Sequence, residues 1–102
     1  MSVFQQGRNA GGWTGTTVAG QNIIPTLLEH EKQNAETKGR TFVEDAFHIA
    51  EICIEAPAGT TFSINDGTKI TIPTSGIYHN STSVLKILIF DQAVSANIAY
   101  CW

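Results

Sequence analysis

From Phe47 to Trp102 the apolar residues fall at every second position, in short runs broken by turn residues. This spacing constrains the fold more than any other feature of the chain, because a period of two is that of a half-buried β-strand. In FHIAEICIEA (residues 47–56), Ala50, Ile52 and Ile54 alternate with Glu51, Cys53 and Glu55. The glutamates predict that their face meets water. Pro57-Ala58-Gly59 reads as a turn, TFSIN (61–65) puts Phe62 and Ile64 inward, and Asp66-Gly67 is a hairpin signal leading into KITI (69–72) with Ile70 and Ile72 inward. A turn at Pro73–Gly76 precedes Ile77-Tyr78. VLKILIF (84–90) is apolar on both sides apart from Lys86, which predicts one central strand covered on both faces. Val94, Ala96, Ile98, Tyr100 and Trp102 alternate to the C-terminus.

The predicted fold is therefore mainly β: a small antiparallel sandwich or barrel of about five or six strands over residues 42–102. Two segments precede it. Residues 1–22 hold Gly7, Gly11, Gly12, Gly15 and Gly20 with no sustained period. They read as a flexible arm, since glycine loses the most freedom on ordering. Phe4 and Trp13 in that arm are candidate anchors for a partner's pockets. Residues 23–41 hold one short helix and a linker, with Thr26 and Glu29 spaced as a capping box and Gly39 placed as a C-terminal cap. Its apolar patch, Leu27 and Leu28 with Ile23 and Ile24, must dock on its own sheet or on a neighbouring subunit.

Composition limits the function. Charged residues make up 15 % of the chain, against roughly a quarter in ordinary proteins, so little charge keeps copies apart. Residues 1–40 carry +1 and residues 41–102 carry −4, the net −3. An acidic chain lacks the basic patch that nucleic acid requires. No apolar run is long enough to span a membrane, and residues 1–20 contain no apolar core of a secretory signal, so synthesis in a cytoplasm is expected. His30, His48 and His79 show no zinc-ligand spacing with each other or with Cys53 and Cys101. No motif joins a cysteine nucleophile to a base, the arm lacks the Gly-Lys-Ser/Thr ending of a phosphate loop, and the expectation is a non-enzymatic protein without metal or cofactor. The cysteines read as small apolar residues, with a bridge possible if their strands are neighbours.

APAGTTFSINDGTKITIPTSGIYHN (56–80), running into VLKILIFDQ, resembles small β modules of tailed-bacteriophage structural proteins. The resemblance implies a virion component, a head-decoration, head-fibre or tail-associated protein. Such a protein would be assembled in many copies with other capsid or tail proteins and would have no catalytic residues. Phe4, Trp13, Leu27, Leu28 and Trp102 are then the expected partner contacts. The other reading is a carbohydrate- or ligand-binding β module, with Tyr78 and Trp102 as stacking aromatics.

Overall fold

The computed structural model describes residues 9–102, with all side chains in that range except those of residues 82–84. The mainly β expectation holds. Strands β1 (Ala10–Thr16), β7 (Ser95–Cys101), β2 (Ile49–Glu55) and β5 (Ile77–Leu85) form one antiparallel sheet in that spatial order. Strands β4 (Ile70–Thr71), β3 (Thr61–Ile64) and β6 (Leu88–Phe90) form a second. Beside β6 runs residues 20–23: the Gly20 N–H donates to Phe90 O, the Ile23 N–H donates to Leu88 O, and Asn22 bridges Ile89. Counting this segment as the second of eight strands, the sheets read 1-8-3-6 and 2-7-4-5, the connectivity of a jelly roll.

The alternation decides what each strand buries. In β7, Ala96, Ile98 and Tyr100 are buried while Ser95, Asn97 and Ala99 are exposed. Beside them in the same sheet Ile52 and Ile54, and from the other side Phe62, Ile72, Leu88 and Phe90, fill the space between the sheets. Two strand readings need correction. The β2–β5 register breaks between Ile49 and Glu51, where two steps of β2 face four of β5 (Leu85 to Ser81). Against β7 Glu51 keeps the phase of Cys53 and Glu55, yet it is only 5 % exposed instead of facing water with Glu55, its Oε2 3.4 Å from His79 Nε2. Residues 84–90 are not one central strand. The chain leaves the first sheet after Leu85 and enters the second at Leu88, so a change of sheet, not a doubly covered strand, explains apolar residues on both sides. Asn65 holds that corner, its Oδ1 accepting the N–H groups of Lys86 (2.8 Å) and Ile87 (3.0 Å). Asn65 and Asp66, at φ 52° and 58°, are the two central residues of the β3–β4 turn, one position earlier than Asp66-Gly67 predicts. Positive φ at both is the requirement of a type I′ hairpin turn.

The helix α1 (Ile24–Thr37) begins two residues before Thr26. The Thr26–Glu29 capping box does not form; the Asn22 Oδ1 instead accepts the Ile24 N–H (3.1 Å) and the Leu88 N–H (2.9 Å), tying the helix start to β6. Gly39 is the C-terminal cap as expected, at φ 66°, with the Gly39 N–H donating to Glu36 O and the Arg40 N–H to Ala35 O. Leu27, Glu31 and Ala35 form the buried stripe of the helix.

The glycine-rich stretch is the other correction. Residues 10–16 are not a free arm: they pair with β7 in unbroken register from Ala10–Cys101 to Thr16–Ser95. Glycine here makes room instead of mobility. A Cβ on Gly11 would collide with the Glu31 carboxylate and touch Tyr100. At the crossing to the second sheet, the fully buried Thr17 donates its hydroxyl to Gln92 O (2.6 Å) and accepts the Val94 N–H (3.0 Å).

Candidate binding surface

The sheet β1-β7-β2-β5 has an inner face on the core and an outer face away from it. Register sets its outer rows. Gly12, Ala99, Cys53 and His79 are successive cross-strand neighbours, and so are Thr14, Asn97, Glu55 and Ile77. The first row is a floor of small side chains. The second is a polar wall: the Thr14 hydroxyl donates to Asn97 Oδ1, and Asn97 Nδ2 donates to Glu55 Oε1 (3.3 Å). Gly12, Thr14, Cys53, Glu55, Asn97 and Ala99 of these rows, with Trp13, Ile98 and His30, bound a shallow trough of about 520 Å³. Among the described residues of this face, Glu55 is the one exposed acid, no Lys or Arg is present, and Ile77 is 45 % exposed.

Cys53 and His79, unconnected by any sequence motif, become direct cross-strand partners here. The chemistry of a cysteine nucleophile still does not follow. Burial, and after it the charge of Glu55, push the Cys53 thiol up, so it stays protonated at neutral pH. His79 Nε2 lies 3.4 Å from Glu51 Oε2. Cys53 and Cys101 are not joined by a disulfide; they lie on adjacent strands, Cys53 opposite Ala99 and Cys101 opposite Glu51. Such diagonal neighbours stand about 7–8 Å apart, beyond the roughly 4.4–6.8 Å that a disulfide tolerates. Among the described residues no cluster of His, Cys, Asp and Glu has the arrangement of a metal site, and no helix is long and apolar enough to cross a membrane.

Of the predicted contact residues, Trp13 lines this trough, and Leu27, Leu28 and Trp102 do not. Leu27 is completely buried, and Leu28 packs half-buried on the same core. Trp102 is half-buried against Phe47 (ring centroids 5.0 Å), Tyr100 (5.9 Å) and Phe42 (6.4 Å). Tyr78 stacks edge-on against Phe62. Trp13 is half-buried on the rim of its own core, and Phe4 lies outside the described residues. The outer face itself was missed, although it leaves a sequence signal. The out-of-phase positions of β1 and β7 (Gly12, Thr14, Ser95, Asn97, Ala99) carry none of the Lys and Glu that usually solvate such a face. Comparison with family models, with curated proteins and with solved structures finds no match to this chain.

Proposed function

We propose that the protein is a non-enzymatic structural subunit of a virus particle, decorating a capsid or joining head and tail components, and that copies associate through the outer face of the four-stranded sheet. The observation that carries the reading is the near absence of charge on that face. A solvent-facing sheet whose described residues offer Glu55 as the one exposed acid and no Lys or Arg gives little protection against sheet-to-sheet contact, and a chain with 15 % charged residues has little long-range repulsion to prevent it. The fastening is thereby moved from residues 10–22, which belong to the fold, to the sheet. Four strands about 4.8 Å apart and seven residues at about 3.4 Å give a face of roughly 450 Å². That is near half of a standard partner's share of a stable interface, about 800 Å². A single contact is therefore weak, and stability comes from many copies joined at once.

Light scattering behind a sizing column, across a range of protein concentrations, tests the reading. The mass is expected to rise with concentration, and Ala99→Lys, a change at an exposed position, is expected to return it to the monomer value. A chain that stays monomeric at the highest soluble concentration contradicts the proposal.

A further inference from the structure

A second surface, on the flank of α1, has different chemistry. Trp13 sits on β1 in phase with Gly11 and Gly15. Its six-membered ring lies against Gly15, where an added Cβ would approach Cζ2 to 2.5 Å and Cη2 to 2.9 Å. Gly15 therefore lets the indole lie along the strand. The ring lines an open groove of about 430 Å³, whose other wall is Pro25, Thr26, Glu29, His30 and Gln33. These helix residues lie off the buried stripe of Leu27, Glu31 and Ala35, and Pro25, Glu29, His30 and Gln33 are exposed. Eight steps of helix from Pro25 to Gln33, at about 1.5 Å each, make the groove roughly 12 Å long.

We infer that this groove is a binding site for a neutral saccharide of one or two rings. An aromatic ring held flat offers a surface for the C–H face of a sugar, and the hydroxyl, carboxylate, imidazole and carboxamide of Thr26, Glu29, His30 and Gln33 are the donors and acceptors that vicinal hydroxyls need. The volume falls within the ~300–1,000 Å³ of small-ligand sites. No Lys or Arg lines it, which disfavours phosphate, sulfate and acidic sugars. A docked peptide or a second copy would need a longer apolar track than one indole and one proline. Trp13 and His30 also line the trough on the outer face, so the groove adjoins the proposed assembly surface, but the inference does not rest on that assembly.

The chain has two tryptophans, so its proton–nitrogen correlation spectrum carries two indole signals, and Trp102 serves as an internal control. The probes are the methyl glycosides of glucose and galactose and free N-acetylglucosamine, each titrated alone. At least one is expected to shift the Trp13 indole signal saturably with a Kd on the order of 1 mM, while the Trp102 signal stays still. Trp13→Ala is expected to abolish binding, followed on the backbone signals of the helix. Glu29→Gln and Gln33→Ala, both at exposed positions, are expected to weaken it several-fold with unchanged thermal unfolding. A Trp13 signal that no sugar moves, a shift confined to Trp102, binding unaffected by both helix variants, or a response to a proline-rich peptide but to no sugar would each overturn the assignment.

Discussion

Replacing Tyr100 by phenylalanine removes one oxygen from the most enclosed polar contact in the described structure. The Tyr100 hydroxyl donates to Glu31 Oε1 at 2.9 Å, with Tyr100 at 0 % and Glu31 at 5 % exposure. A buried carboxylate deprived of a donor loses its compensation for leaving water, at about 1–3 kcal/mol. For a chain of this size about 2 kcal/mol lowers Tm by roughly 8–16 °C. The asymmetry is itself a test. Glu31→Leu added to Tyr100→Phe removes the orphaned charge and is expected to recover part of the loss, although Tyr100→Phe alone is harmful. The pair also sets an alkaline limit. Burial first, and then the hydrogen bond and charge of Glu31, hold the Tyr100 phenol far above the ordinary tyrosine range. A raised pKa means that the contribution is whole below about pH 10 and is lost as pH rises above it, at up to about 1.4 kcal/mol per pH unit. Urea unfolding at pH 8 and at stepped values above 10 measures both effects. Wild type is expected to lose stability along the alkaline limb more steeply than Tyr100→Phe, a difference in which the thiols and other shared groups cancel. Equal slopes, or a pH 8 stability within about 0.5 kcal/mol of wild type, would refute the claim that this pair is sealed from solvent.

Three further outcomes are expected. Asn65→Gly keeps the positive φ but loses the two hydrogen bonds to the β5–β6 corner, for about 1–3 kcal/mol, and Asn65→Ala adds roughly 1–2 kcal/mol for the left-handed backbone; chemical denaturation should rank them Asn, Gly, Ala. Hydrogen bonds from Lys69 and then Thr61 hold the Asp91 carboxyl below its usual range, so their support is whole at neutral pH and fails as pH falls below about 4; Lys69→Met should shrink that acid-side loss in a thermal-unfolding series between pH 6 and pH 2. Cys53, with its thiol raised, should react slowly with iodoacetamide at pH 7 as read by intact mass; Glu55→Gln should speed it, and Cys101 should stay unmodified until the protein unfolds.

How much of this was legible in the sequence depends on whether a signal was local. The inward sets of β7, β3 and β4 follow from alternation alone, because their side chains meet one core from one side. Gly39 was readable as a cap because its role needs only its own φ and four neighbouring residues. The failures all involve a partner far along the chain. Thr26 and Glu29 have the spacing of a capping box, but Asn22 reaches the Ile24 N–H first, since it is already fixed by Leu88. Glu51 is buried although it is in phase with exposed Glu55, and it lies beside His79, supplied by β5. The break at Lys86-Ile87 exists because Asn65, over twenty positions earlier, supplies the acceptor that lets the backbone turn from one sheet to the other.

The glycine-rich stretch carries the same lesson to the candidate sites. Composition alone reads GRNAGGWTGTT as an untethered arm, because glycine's cost on ordering is counted and its benefit is not. The benefit lies elsewhere in the chain: Gly11 clears the space that Glu31 and Tyr100 occupy, and Gly15 clears the space for the Trp13 ring. Only Gly20 in the described part of that stretch has positive φ, so backbone freedom does not explain the others. Small residues at 11, 12 and 15 make β1 a thin strand with the helix on one side and a sparsely charged sheet face on the other. Bulkier residues at 11 and 15 would push α1 away and lift the indole off the strand, closing the groove on the helix flank. A bulkier residue at 12 would instead fill the floor of the trough on the outer face. Both candidate surfaces therefore depend on the absence of side chains in one strand, and a sequence reading sees that absence first as flexibility.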